Sequence, residues 1–318
     1  MAFIMTKKQQ FIYKAFLEFK RICKEHGLRY WASGGTLIGA MRHKGFIPWD
    51  DDMDLYMHRK DYQRFIDIVL NSSDKRFGIS CMEDGKHLCP YHFTKFFATD
   101  CTVWESKLYP LIVGPWVDIF PIDEYNEELS PRLNDRCIRV HDKYRRSIAH
   151  QSWRDIAYNI FHLRGMNGWM GIVRKCWSAL FRDKYYRDYM RLCNEMAQVK
   201  SDSHYFHAME SYMDEPRAKK FIWKKEIVEN LIEAPFEDTT ITIPADYESV
   251  LTLQYGNWRE LPPENERQGG HACYYTDLNA VKTVDQVRKE IGPDEHDREH
   301  VFTFAEFWYT LKQRIRHL

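Results

Sequence analysis

Four aspartates fall within five positions, at 50, 51, 52 and 54, and run directly into a strand-like segment, Met53-Asp54-Leu55-Tyr56-Met57. Strand side chains alternate between faces. If extended backbone begins near Asp52, Asp52 and Asp54 share one side, and Met53 and Leu55 take the other. Two carboxylates side by side repel, and each raises the other's pKa unless a cation lies between them. The pair therefore belongs either on a solvent-facing edge strand or around a divalent ion, and hard oxygen donors suit Mg²⁺ or Mn²⁺. An EF-hand is disfavoured, because its glycine and terminal glutamate are missing at loop spacing. Asp50 and Asp51 read as a solvated loop.

A third carboxylate interrupts an apolar strand, Trp116-Val117-Asp118-Ile119-Phe120. A buried charge there must be paired or metal-bound; the alternative is a cap on a turn before Pro121. Asp52, Asp54 and Asp118 on neighbouring strands would hold one or two ions across a phosphate. Such ions neutralise phosphoryl oxygens and orient an attacking hydroxyl.

Upstream, Gly34-Gly35-Thr36 precedes a short helical pattern, where backbone N–H groups can approach a phosphate or simply turn the chain. No GxxxxGK[ST] is present, and glycines at 34, 35 and 39 fail the dinucleotide fingerprint. Arg42, His43 and Lys44 are donors suited to phosphates or an acidic acceptor, or equally to an exposed surface. Lys95, inside an aromatic strand, has the same two readings.

Charge narrows the partners. Lys+Arg and Asp+Glu are both 46, so the chain lacks the basic excess needed to hold a nucleic acid polymer by charge. Eight cysteines form no CxxC pair, which suits small buried hydrophobes in a reducing compartment. The N-terminus has no signal-like apolar core, and no stretch approaches the ~20 apolar residues of a spanning helix. A cytoplasmic protein is expected, with peripheral membrane contact left open.

Periodicity predicts a helix from about Lys8 to His26, with Ile12, Phe16, Phe19 and Cys23 on one face and Gly27 as its stop. A strand is expected at Leu28–Ala32, a short helix at Thr36–Met41, and a helix at Lys60–Leu70. Further strands are expected at Phe77–Cys81, His92–Phe97 and Trp116–Phe120. Residues 1–125 thus read as a small mixed sheet with packed helices, an α+β arrangement. Residues 126–221 read as a mainly helical insertion, with Arg154–Phe161 and Lys184–Val199 its clearest helices and glycines 165, 168 and 171 a loop. Strands return at Ile222–Trp223, Leu231–Phe236 and Thr240–Ile243 as residues 222–275 rejoin the catalytic unit. Pro244 is expected to open a helix reaching Gln254. Tyr255–His271 reads as an ordered loop, and 276–318 as a helical extension.

These residues carry a resemblance. Gly34-Gly35-Thr36, Asp52-Met53-Asp54 and Asp118 resemble the nucleotidyltransferase superfamily. Within it, GTLIGAMRHKGFIPWDDDMDL and PWVDIFPID are similar to the LicD family, the phosphocholine transferases related to the fukutin group. Segments near Ile243–Tyr247, Leu253–Trp258 and Pro262–His271 agree. The resemblance implies a nucleotidyltransferase-like core and a CDP-alcohol donor such as CDP-choline. A phospho-alcohol, phosphocholine or a polyol phosphate, would pass to a hydroxyl of a cell-surface glycan or lipid-linked precursor such as lipopolysaccharide or teichoic acid, releasing CMP. It also implies Asp52 and Asp54 as chief Mg²⁺ ligands and Asp118 as third acid and potential base. Gly34, Gly35 and Thr36 would hold the phosphate side, Arg42 and Lys44 the nucleotide or diphosphate, and Tyr255, Gly256 and His271 the far wall. A choline cargo would want an aromatic cage; Trp49, beside the acids, is the leading ring, with Trp31, Trp104, Trp116, Tyr255 and Trp258 as others. Transfer of a nucleotide monophosphate by the same superfamily, or an inactive scaffold on the same fold, are the competing readings.

Overall fold

The computed structural model describes residues 4–86, 88–149, 176–177, 179–207 and 219–292. Helix α1 (Lys7–His26) begins in a capping box between Thr6 and Gln9 and ends where Gly27 adopts φ 62°, its N–H returning to the Cys23 carbonyl. Its predicted face is the buried one: Ile12, Phe16, Phe19 and Cys23 are all 2% exposed or less. Phe16 meets Tyr30 and Phe236 edge-on, and Phe19 meets Tyr30 and Phe65, so α1 is fixed by rings from three separate segments.

The main sheet runs in the order β1-β2-β6-β4-β3, from Trp31–Ala32, Asp54–His58, Trp116–Glu124, Thr94–Ala98 and Phe77–Ser80 respectively. Only β2 and β6 are parallel; β1, β4 and β3 join antiparallel. Strand β6 is long enough for two partners in succession on one side. Trp116 to Ile119 pair with β4, and Ile122 to Glu124 pair with β7 (His204–His207), which continues to β8 (Ile222–Lys224). Pro121 falls between the two, where a missing N–H breaks no ladder. Helix α3 (Arg59–Leu70) follows β2 directly, with Tyr62, Phe65 and Ile66 in the core and Leu70 exposed. The class is α+β, as the segment pattern predicts.

A hairpin of β9 (Leu231–Phe236) and β10 (Thr239–Pro244) packs along the middle of α1, against Tyr13, Phe16 and Lys20. Its turn residue Glu237 (φ 53°) donates its N–H to the Lys44 carbonyl and accepts at Oε1 from the Phe46 N–H at 2.9 Å. Lys44 itself has φ 61°, so the two non-glycine residues of positive φ among the described residues are tied to one another. Helix α4 (Leu129–Ile148) packs on α5 (Arg182–Ala197) around Tyr144, Tyr189, Leu192 and Met196. Among the described residues no helix is long and apolar enough to cross a membrane.

Several expectations are corrected. The Leu28 strand is only Trp31–Ala32, and Pro244 does not open a helix. Pro244 ends β10 opposite Leu231, and the next helix, α6 (Tyr247–Tyr255), is capped by the Asp246 side chain accepting from the Ser249 N–H. Three short strands were not predicted: β5 (Thr102–Trp104), β7, and β11 (Tyr275–Asp277), which pairs with β5. Helix α7 (Val284–Ile291) lies inside the C-terminal extension. The predicted helix Arg154–Phe161, glycines 165, 168 and 171, and residues 293–318 lie outside the described residues.

Phe16 is fully buried between two elements of different sequence origin. Phe16→Ala is expected to lower unfolding free energy by about 3–5 kcal/mol, read from urea midpoints at unchanged slope.

Candidate active site

The β2–β6 register sets Asp54 directly opposite Asp118, and the β6–β4 register sets Asp118 opposite Lys95. Three charged side chains thus form a row across three adjacent strands. Asp52 joins them from the segment before β2: one carboxylate oxygen from each of Asp52, Asp54 and Asp118 lies within 4.8 Å of the others. Met53 and Leu55 are fully buried on the opposite side, as strand alternation predicts. Asp118 lies in mid-strand and caps no turn.

The carboxylates are poorly compensated. Burial, then the charges of Asp52, Asp118 and Asp50, pushes Asp54 well above the usual carboxylate range. Burial pushes Asp118 up to about 7 against the opposing pull of Lys95, and Asp52 adds to the rise. Asp52 is also raised, chiefly by burial. Such a set holds together as anions only with added positive charge.

Asp50 and Asp51 correct the solvated-loop reading. Burial, with help from Asp52 and Asp51, raises Asp50 to about 7. Gln9, fully buried on α1, donates to the Asp50 carbonyl at 3.0 Å and the Ile47 carbonyl at 3.2 Å, which fixes the acid loop against α1. Asp51 is an anchor. It accepts from Lys8 Nζ at 2.9 Å, from the Gly270 N–H at 3.0 Å and from the His271 N–H at 3.3 Å. Burial works against its ionisation, but hydrogen bonds from His271 and Lys8 outweigh that and hold it below the usual range. His271 Nδ1 lies 3.2 Å from Asp51 and 3.4 Å from Asp52, and the Asp51 bond raises its pKa against burial. His271 is therefore at the acid centre, delivered by a loop more than two hundred residues downstream.

Helix α2 (Gly34–Arg42) starts beside the acids, and its N-cap Ser33 makes no side-chain cap. Gly34 has φ 52°, and a Cβ there would lie 2.9 Å from Asp54 Oδ2 and 3.5 Å from the Tyr255 hydroxyl. A Cβ at Gly35 would lie 2.8 Å from Asp50 Oδ2. The paired glycines are thus the condition for two carboxylates to approach the first turn of α2. Thr36 turns inward, its Oγ1 accepting from the Asp54 N–H at 2.8 Å, and so ties α2 to β2.

Other candidates sit elsewhere. Arg42 is at the far end of α2, about 12 Å along the axis from Gly34, and donates to the Trp258 and Glu260 carbonyls. Lys44 is exposed. Gly256 ends α6 with φ 69°, its N–H going to Thr252, a chain-bending duty. Lys95 is buried away from solvent. Of the six rings proposed for a cage, Trp31, Trp104, Trp116 and Trp258 are 7% exposed or less and unavailable to a ligand. Trp49 is half-buried with Arg267 over its ring, and Tyr255 is 48% exposed beside Gly34. Lys8, Glu105 and Arg267 were not foreseen; only tertiary pairing brings them here.

This geometry coincides with a known sequence family. Residues 27–153 match the family model described as LicD/FKTN/FKRP, nucleotidyltransferase domain. The chain contains a LicD-family domain. It is 29% identical over 276 residues to the lipopolysaccharide cholinephosphotransferase LicD of Haemophilus influenzae, covering 84% of this chain and 96% of that protein. A shorter match, 54% identical over 35 residues, covers 11% of this chain and 7% of the human ribitol 5-phosphate transferase FKRP. An uncharacterised protein of Rickettsia typhi is 35% identical over 66 residues, 21% of each chain. The LicD-family domain spans β1 to α4 and so contains Asp52, Asp54, Lys95 and Asp118, whereas His271 and Tyr255 come from outside it.

Asp51→Ala removes the acceptor of two backbone N–H groups that hold the loop to the acids. Amide exchange at Gly270 and His271 is expected to speed at least about tenfold, the equivalent of one lost hydrogen bond, while α1 amides near Phe16 stay protected.

Proposed function

We propose that the chain is a metal-dependent phosphotransferase that moves a phospho-alcohol from a CDP-alcohol to a glycan hydroxyl, releasing CMP. The observation that carries this reading is the cluster of mutually repelling carboxylates of half-buried Asp52 and Asp54 and buried Asp118 inside the LicD-family domain. The names of two relatives, a cholinephosphotransferase and a ribitol 5-phosphate transferase, point to phosphocholine or a polyol phosphate as the cargo.

The residues fit a hard divalent ion. Their donors are carboxylate oxygens only, Asp54 and Asp118 lie on paired strands with Asp52 in the segment just before β2, and Lys95 and His271 offset only part of their charge. On this reading Asp52, Asp54 and Asp118 hold Mg²⁺ or Mn²⁺, which would offset charge on the donor's diphosphate. The uncapped first turn of α2 presents the N–H groups of Gly35 and Thr36 to a phosphoryl oxygen, with Gly34 allowing close approach. Tyr255, exposed next to Gly34, offers its ring to the alcohol end of the donor. The acceptor hydroxyl attacks the phosphorus bearing the alcohol and gives its proton to Asp118. The bond from that phosphorus to the bridging oxygen breaks, and CMP leaves with the electron pair. His271 and Lys8 keep Asp51 and its loop in place around this centre. Acceptors of this kind are assembled beside membranes, so the expected place of work is the cytoplasm at the inner face of a membrane.

The test is Mg²⁺-dependent CMP release from CDP-choline, CDP-ribitol and CDP-glycerol with candidate glycans. Asp52→Asn and Asp54→Asn are each expected to lower it about a hundred- to a thousandfold, the size of effect seen when a group stabilising transition-state charge is removed. Melting temperature should not fall, since each change relieves repulsion. The acceptor should gain the mass of a phospho-alcohol; gain of a nucleotide monophosphate, or full activity in EDTA, would contradict the proposal.

A further inference from the structure

Lys95 is 1% exposed, an unusual place for an ammonium. Its Nζ lies 3.2 and 3.4 Å from the two Asp118 oxygens and 3.4 Å from Glu105. Rings close the remaining directions: Trp116 at 3.7 Å from ammonium to centroid, Tyr91 at 4.6 Å and Phe93 at 5.2 Å. Those distances are in cation–π range. The same rings are themselves held, Tyr91 donating to Glu105 and Trp116 Nε1 donating to Asp118 Oδ2 at 3.0 Å. The ammonium is thus enclosed by three rings and two carboxylates, and Asp118 receives both a charge and an indole N–H from its outer side.

We propose that Lys95 is the positioning residue of the acid centre, acting on the reaction only through Asp118. With Lys95 and Trp116 occupying its outer side, Asp118 presents its remaining oxygen lone pairs toward Asp52 and Asp54, the side on which an ion would lie. The ammonium is too enclosed to reach a diphosphate, which corrects the expectation that Lys95 contacts substrate. Groups that orient a metal-holding carboxylate commonly govern affinity or activity by about 10–100-fold. This inference rests on the metal reading proposed above.

The experiment is a double-mutant cycle over Lys95→Met and Asp118→Asn, titrating each protein calorimetrically with Mg²⁺ alone and measuring kcat and donor KM separately. Methionine fills the ring enclosure without a charge, and the double variant removes one charge of each sign, so it leaves the net charge of the region unchanged if a single change fails to fold. Lys95→Met is expected to weaken Mg²⁺ binding and lower kcat about 10–100-fold, with donor KM within about twofold. In the Asp118→Asn background the same substitution should change the Mg²⁺ Kd by less than about threefold, the signature of residues acting as one unit. Independent, multiplying losses would overturn the proposal. So would a raised donor KM with unchanged Mg²⁺ affinity, which marks a substrate contact. Wild-type protein that takes up no Mg²⁺ would overturn the metal reading itself, and this inference with it.

Discussion

The arrangement depends on a repulsion. Parallel pairing of β2 with β6 forces Asp54 and Asp118 into opposite register positions, and the segment before β2 adds Asp52 to the same side. Carboxylates at that separation in a partly dry environment raise one another's energy of ionisation, and burial adds to it. A chain under selection for stability alone would place an apolar residue at one of these positions. Retaining all three is intelligible as a stored demand for positive charge, of which Lys95 supplies a part from one side.

Much of the surrounding structure serves to maintain that demand. Gln9 on α1 takes the carbonyls of the acid loop, Thr36 on α2 takes the backbone N–H of Asp54, and Gly34 and Gly35 leave room for the carboxylates. Asp51 is the acid of the run that is not left uncompensated. Its bonds to Lys8, Gly270 and His271 spend its charge on closing the C-terminal loop over the site. Four adjacent acids therefore have two different physical duties. The division follows from where positive groups lie in space.

That division marks where sequence reading stops. Alternation in Met53-Asp54-Leu55 and the lone acid in an apolar run at Asp118 were readable, because both depend on local periodicity. The core face of α1 was readable for the same reason, from Ile12, Phe16, Phe19 and Cys23. The duty of Asp51 was not, since its partner His271 stands 220 residues away. Lys95 stands out in the sequence as a charge inside an aromatic strand, but its place beside Asp118 comes from an antiparallel register no local pattern encodes. The short strands β5, β7 and β11 escaped because three or four residues carry too little alternation, and pairing with a distant segment decides them. Pro244 shows the opposite failure, a strong helix-start signal overridden by its place at the end of a hairpin strand.

The most direct measurement is anomalous diffraction from crystals of the protein soaked in Mn²⁺. One strong peak bonded by oxygens of Asp52, Asp54 and Asp118 is expected, with Lys95 still on the outer side of Asp118. A difference map with the three carboxylates unchanged and no anomalous density among them, at Mn²⁺ concentrations that support turnover, would contradict it.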